Sequence, residues 1–157
     1  MFDITTEELD RLELAWNSFI RIVKKPIYWE EIQHQAKVNI DRPAAAILHI
    51  LSKQDCQFQS LVNQLGLEAP SVSRKVHELE NNGLILRRPN TDKRIHELRL
   101  SPEAEIMVKQ LTKAKRLIMS KILSNWSVNE RQELITILQR LSNDMSDYFD
   151  HKKLNER

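Results

Sequence analysis

The sequence predicts a mainly α-helical fold with one small β-hairpin near its middle. The chain has 157 residues and only 2 glycines, fewer than a turn-rich β protein normally needs. Apolar residues recur at steps of three and four along most of the chain, which is typical of amphipathic helices. Two short basic stretches, residues 85–88 and 95–100, read instead as strands around a polar turn. Such a hairpin adds little to a helical core, so we expect it to contact a partner.

Caps and prolines mark the first three predicted helices. TTEE at residues 5–8 has the form of a capping box, and the apolar pattern after it predicts a helix that Pro26 ends or kinks. A second helical stretch follows over residues 28–38. Asp41 is a candidate N-cap for a third helix, in which Pro43 fits the first turn.

The middle of the chain has the pattern of two helices joined by a tight turn. A short helix over residues 58–65 is stopped by Gly66, and a longer one over residues 69–82 is stopped by Gly83. This is the helix-turn-helix pattern. On a helical wheel the second helix has a core face of Val72, Val76, Leu79 and Gly83 and an opposite face of Pro70, Ser73, Arg74 and His77. Small, polar and basic groups on that face suit entry into a DNA major groove, although a solvated amphipathic helix shows the same wheel.

The carboxyl-terminal part predicts two more helices. Ser101 and Pro102 begin a long helix, and SVNE at residues 127–130 forms a second capping box. Beyond it the apolar residues recur at steps of four and three, which makes a seam that needs a partner helix. The seam is formed by Leu134, Leu138, Leu141, Met145 and Tyr148. Packing within the chain is one explanation, but a middle segment this short covers little apolar surface, so we favour dimerisation through both ends of the chain.

Charge is distributed unevenly. The formal net charge is only +2, yet residues 85–99 carry five Lys or Arg against two Asp or Glu, and residues 1–52 carry six against eight. A local basic excess attracts polyanions, although a solvated charged face is its commoner cause.

Several protein classes are disfavoured. Cys56 is the single cysteine, so we expect no disulfide, no cysteine zinc site and a small structural role for its side chain. The histidines lack metal-binding spacing, and no nucleophile elbow or phosphate-binding glycine loop occurs. We therefore expect no enzyme, metal or cofactor. The longest apolar run, residues 44–51, is too short for a membrane span, and the acidic amino terminus does not resemble a signal peptide, so we expect a cytoplasmic protein.

A resemblance to the winged helix-turn-helix of the multiple-antibiotic-resistance regulator (MarR) family is carried by residues 61–101, LVNQLGLEAPSVSRKVHELENNGLILRRPNTDKRIHELRLS. The family's wing pattern, D-x-R-x-x-x-L-x-L-T/S, is met by Asp92, Arg94, Leu98, Leu100 and Ser101. The preceding pattern, L-x-x-x-G-L-(I/V)-x-R, is met by Leu79, Gly83, Leu84, Ile85 and Arg87. The flanking segments match the family by helix order and length only.

This resemblance implies a fold and a set of roles. The fold is a winged helix-turn-helix with N- and C-terminal dimerisation helices, divided into dimerisation helices at 1–38, a DNA-binding domain at 39–101 and dimerisation helices at 102–157. Arg94 is placed at the wing tip for entry into the minor groove, and Asp92 braces the wing. The expected DNA-binding residues are Pro70, Ser71, Ser73, Arg74, His77, Arg88, Lys93 and Arg94.

Two positions depart from the family pattern. Glu68 stands where the family usually has a small polar residue that caps the recognition helix, and its carboxylate suits the helix dipole but repels DNA. Ala104 replaces a family glycine, with little expected consequence.

The expected function is sequence-specific transcriptional regulation, as a repressor and a homodimer on a pseudo-palindromic site in double-stranded DNA. The resemblance also implies a small aromatic or anionic effector, because many relatives release DNA when such a molecule enters the cleft between the dimer and DNA-binding lobes. The alternative is a winged-helix module that pairs with protein and not with DNA. The modest net charge and Glu68 favour that alternative.

Overall fold

The computed structural model describes residues 4–89 and 96–155 of the chain. Contacts divide it into two compact units, Met1–Arg116 and Leu117–Arg157. In chain order the described elements are α1 (Thr6–Lys24), α2 (Pro26–Ala36), α3 (Arg42–Leu51), β1 (Cys56–Gln57), α4 (Phe58–Leu65), α5 (Ala69–Asn81), β2 (Ile85–Pro89), β3 (His96–Leu100), α6 (Pro102–Ile122) and α7 (Val128–Asn155). The prediction of a mainly helical fold with a small sheet is confirmed.

The predicted caps begin their helices. Thr5 and Glu8 form the reciprocal capping box of α1, and the Asp41 carboxylate accepts a 2.8 Å hydrogen bond from the Ala44 N–H at the start of α3. No sequence signal predicted the end of α2, because the residue that follows this helix is Lys37 and not glycine. Lys37 lies in the left-handed region, with φ 55°. The N–H of Lys37 donates to the Gln33 and His34 carbonyls, and these bonds hold a conformation that usually favours glycine.

The two glycines end the two helices of the helix-turn-helix, as predicted. Gly66 follows α4 with φ 63°, and Gly83 follows α5 with φ 69°. The Leu84 N–H then donates to the Leu79 carbonyl at 2.9 Å, which turns the chain directly into β2. Glycine adopts the left-handed conformation without the strain that a Cβ adds, so it is the favoured residue at both turns.

The sheet has three strands, one more than the sequence predicted. Its order is β1-β3-β2 and both pairings are antiparallel, with Cys56 opposite Leu98 and Ile85 opposite Leu100. β1 is only two residues long and has no alternating pattern, so its sequence carries no strand signal.

The core of the first unit lies where α3, α4, α5 and the sheet meet. Leu48 and Leu61 are fully buried, at 0% exposure, and α6 contributes buried side chains from one face. The fully or almost fully buried larger side chains are Ile32, Ile47, Leu48, Leu61, Val72, Val76, Ile85 and Leu98. This core fixes α5 against α3 and the hairpin.

The end helices leave their apolar faces exposed. No residue of α1 is buried, and Leu12 and Phe19 are each 58% exposed. In the second unit, α7 begins with the predicted capping box, in which the Ser127 N–H donates to Glu130 at 2.7 Å. Leu138 and Tyr148 of the predicted seam are exposed as well.

Candidate nucleic-acid interface

Helix α5 has a proline in its first turn and a cap that uses only the backbone. Glu68 is the N-cap residue, in an extended conformation, and its side chain makes no capping hydrogen bond. Its backbone carbonyl accepts hydrogen bonds from the N–H groups of Ser71 (3.1 Å) and Val72 (3.2 Å). Pro70 costs the helix nothing here, since N–H groups in a first turn have no partner within the helix. The exposed Glu68 carboxylate therefore lies near the positive end of the helix dipole.

The two faces of α5 separate as the helical wheel predicts. Val72, Val76 and Leu79 are 1–2% exposed and pack into the core. The predicted contact residues on α5 are all exposed: Pro70, Ser71, Ser73, Arg74 and His77. The helix therefore presents a small, polar and basic surface, with its bulky apolar groups turned away.

A network around Lys75 fixes α5 to α3. Lys75 Nζ lies 2.6 Å from Asp41 Oδ2 and 2.7 Å from Glu78 Oε2. Burial raises the pKa of Asp41, but the hydrogen bonds from Lys75 and the Ala44 N–H outweigh this effect and leave the pKa below its usual value. Because Asp41 also caps α3, one carboxylate holds the start of α3 and the middle of α5 together.

A second ion pair joins α5 to the hairpin. Arg87 on β2 forms a two-point salt bridge with Glu80 near the end of α5, with Nη2 3.2 Å from Oε2. Arg88 follows it, exposed, and lies opposite Glu97 on β3. Among the described residues, neither Arg74 nor Arg88 forms a salt bridge. These two cations therefore retain their donors for a ligand, whereas Arg87 is used to orient the strand.

The rest of the predicted wing site falls on residues that are not described. Asp92, Lys93 and Arg94 all lie between residue 89 and residue 96, outside the described ranges. The roles assigned to these three residues stay predictions.

From the sequence, Asp41 was predicted only as a helix cap, and no bracing role was predicted for Asp41, Lys75 or Glu80. Lys75 and Asp41 are 34 positions apart, and only the packing of α5 on α3 brings them together. Glu80 and Arg87 are seven positions apart on either side of the predicted Gly83 turn, so a search for opposite charges across that turn could have found them.

Cys56 has the structural role that its sequence context indicated. The side chain is buried at the edge of the sheet. Burial raises the pKa of the thiol, and the negative charges of Asp55 and Glu97 raise it further. A thiol held in its protonated form is a poor nucleophile.

Comparison with known proteins links the middle of the chain to one family. The model of the MarR family matches residues 40–96, which include α3, α4, α5 and β2. This is a family of transcriptional regulators, not of enzymes. The chain is 28% identical over 117 residues to the uncharacterised HTH-type transcriptional regulator YdgJ of Bacillus subtilis (strain 168), covering 73% of this chain and 71% of YdgJ.

Solved structures share the fold along most of the chain. A MarR family protein from Bacillus stearothermophilus superposes with a TM-score of 0.80 at 20% identity, covering 92% of this chain and 99% of that one. An organohalide-sensing transcriptional regulator in its 2,4-dichlorophenol-bound form superposes with a TM-score of 0.65 at 22% identity, covering 90% of this chain and 86% of the other. The predicted winged helix-turn-helix architecture is thus confirmed.

None of the described helices combines the length and the apolar character that a membrane span requires. Residues 4–88 and 96–150 contain no group of three or more His, Cys, Asp or Glu side chains that could hold a metal ion.

Proposed function

We propose that the protein is a sequence-specific, double-stranded-DNA-binding repressor that inserts α5 into the major groove. The observation that carries this proposal is the exposed face of α5. Arg74 is free of ion pairs among the described residues, and the small side chains of Ser71 and Ser73 let the helix backbone approach the base edges. A guanidinium in this position can donate two hydrogen bonds to a guanine edge.

The hairpin supplies a second group of cations. Arg88 on β2, with Lys93 and Arg94 at the wing tip, extends the basic surface beyond α5. Asp92 is proposed to brace the wing and Arg94 to enter the adjacent minor groove, where a narrow A·T-rich sequence strengthens the negative potential. The exposed Glu68 opposes this attraction at the start of α5, so we expect moderate affinity.

The proposed assembly is a homodimer formed by the end helices, within residues 1–38 and 102–157. Its support is the exposed apolar faces of α1 and α7, exemplified by Phe19 at 58% and Tyr148 at 66% exposure. A two-fold dimer presents two copies of α5, and it therefore binds a pseudo-palindrome with half-sites about one helical turn apart. The cytoplasm is its proposed location, because its DNA partner is there.

Release by a small aromatic or anionic effector completes the proposal. The 2,4-dichlorophenol-bound relative gives support, since it is an organohalide-sensing regulator with a small molecule bound. An effector releases DNA only if it binds more tightly to the conformation whose recognition helices are wrongly spaced.

A mobility-shift assay on the DNA next to the protein's own gene tests this function, with size measurement in the same buffer. We expect a discrete complex of two chains with the DNA. Unrelated DNA of equal length should not compete for the protein. Failure to retard any of this DNA, with the protein folded and dimeric, favours the alternative of a protein-interaction module, for which the exposed Glu68 is the specific support.

A further inference from the structure

Arg42 joins the start of α3 to the amino-terminal helices. Its side chain is half-buried, and Nη2 donates a 2.8 Å hydrogen bond to the carbonyl of Lys25, the residue between α1 and α2. The guanidinium carbon also lies 5.9 Å from the ring centroids of both Tyr28 and Trp29 on α2. A cation at this distance is attracted by the aromatic ring, and the planar guanidinium combines that contact with a directed hydrogen bond. One side chain of α3 therefore contacts α2 at three places.

Trp29 adds contacts with two other parts of the first unit. Its Nε1–H donates to the Ile40 carbonyl at 2.9 Å, and Gln33 Nε2 donates to the same carbonyl at 2.9 Å. Ile40 is buried and lies just before α3. Lys115 Nζ, on α6, lies 5.7 Å from the centroid of the Trp29 ring. The Trp29 ring thus holds α2 against the segment that leads into α3 and against α6.

Asp41 and Arg42 are adjacent, and their side chains contact different helices. The Asp41 carboxylate pairs with Lys75 of α5 at 2.6 Å, whereas Arg42 contacts α2. A continuous series of contacts therefore runs from α2 through the start of α3 to α5, and all of it lies in the first unit. Coupling between distant elements is carried by packed side chains and ion pairs of this kind. A change in how α3 lies on α2 should therefore move α5.

The position of α5 matters most when two copies bind one duplex. In the proposed complex, α1 and α2 belong to the dimer interface and each α5 enters a major groove. Adding one base pair between the half-sites moves one of them by about 3.4 Å and rotates it by about 35° around the duplex axis. A dimer with firmly held α5 helices should accept one spacing, whereas a dimer with loosely held ones should tolerate neighbouring spacings.

We propose that Arg42 is a positioning residue that sets the spacing of the two half-sites. It does so by fixing α3, and with it α5, to α2. The inference rests on the proposed dimer and on the proposed contact of α5 with DNA. It adds the source of spacing selectivity, and it assigns this selectivity to a side chain that contacts α2.

Fluorescence anisotropy with the full-length protein and three duplexes tests this role. The duplexes are the operator and two versions whose spacer is one base pair shorter or longer. The wild type should bind the operator at least about tenfold more tightly than either altered duplex, because a displaced half-site loses its base contacts. Arg42→Gln should lower this ratio to below about threefold, since a loosely held α5 reaches the displaced half-site at a smaller cost.

A matched control and a second variant separate positioning from other effects of the substitution. Arg116→Gln removes an exposed arginine of α6 that forms no salt bridge with another described residue, and it should keep the wild-type ratio. Loss of a cation alone weakens binding to all three duplexes by the same factor and leaves the ratio unchanged. Trp29→Phe keeps an aromatic ring but removes the N–H that binds the Ile40 carbonyl, and it should lower the ratio as Arg42→Gln does.

The outcomes distinguish this inference from the proposed function. Circular dichroism verifies the fold of each variant, and Trp29→Phe decides the result if Arg42→Gln does not fold. A folded variant that keeps the wild-type ratio overturns the positioning role and leaves DNA binding by α5 intact. A wild type that binds all three duplexes equally also overturns it. A wild type that binds none of them contradicts the proposed function itself, and the positioning role falls with it.

Discussion

Replacing Arg74 with alanine removes the one arginine on the exposed face of α5. Its side chain is exposed and forms no salt bridge with another described residue. The substitution therefore breaks no ion pair, and alanine suits a helix interior better than arginine. We expect the free energy of unfolding to change by less than about 0.5 kcal/mol, as for other surface substitutions. A loss of DNA-binding free energy larger than this then comes from lost contacts with DNA and not from lost folding stability.

The expected loss follows from the proposed contact. A bidentate arginine–guanine pair contributes about 1–3 kcal/mol of discrimination, which corresponds to roughly 5- to 150-fold in affinity for each half-site. Affinity for the operator should fall more than affinity for other DNA, because non-specific binding depends on phosphate charge and not on base edges. The ratio of operator affinity to scrambled-DNA affinity should therefore fall.

Fluorescence anisotropy with operator and scrambled duplexes measures both affinities at one salt concentration. Lys121→Ala is the matched control, since it removes an exposed cation from α6 and should leave the affinity ratio within about twofold. An Arg74→Ala chain that loses equal affinity for both duplexes, or none for either, refutes base reading by α5.

Three further predictions concern the wing, the helix brace and the dimer. Arg94→Ala should weaken binding to all sequences and lower the slope of log affinity against log salt by about one unit; a salt titration with an unchanged slope argues against the wing assignment. The lowered pKa of Asp41 means that its stabilising effect is present above the unfolded-state pKa and is lost as pH falls through the folded-state pKa. Because the side chain is 48% exposed, we expect this component to be below about 1 kcal/mol. The free energy of unfolding, measured with urea across acidic pH, should show this pH-dependent component in the wild type and not in Asp41→Asn. Identical pH profiles of the two chains count against this role of Asp41. Phe19→Glu should convert the dimer to monomers that stay folded, since no residue of α1 is buried; sedimentation that still shows a dimer contradicts the proposed interface.

Local signals in the sequence were enough to predict the helix-turn-helix. The steps between Val72, Val76 and Leu79 predicted the buried face of α5, and the structure confirms it. Gly66 and Gly83 predicted the helix ends because glycine adopts the left-handed conformation found there more readily than residues with a Cβ do. These features depend on residues a few positions apart, so they can be predicted from the sequence alone.

The features that the sequence could not predict depend on distant contacts. β1 is a strand only because Cys56 and Gln57 pair with Leu98 and Glu97 of β3, which are distant along the chain. The Lys75–Asp41 pair likewise exists because α5 packs on α3. Neither contact has a local pattern.

Hydroxyl-radical footprinting of the operator complex tests the central claim most directly, because it reports how two copies of α5 lie on one duplex. We expect two protected regions whose centres are about 10 base pairs apart, related by the dyad of the sequence and both weakened by Arg74→Ala. A single protected region, or two whose protection is unchanged in Arg74→Ala, would contradict a dimer that reads DNA through α5.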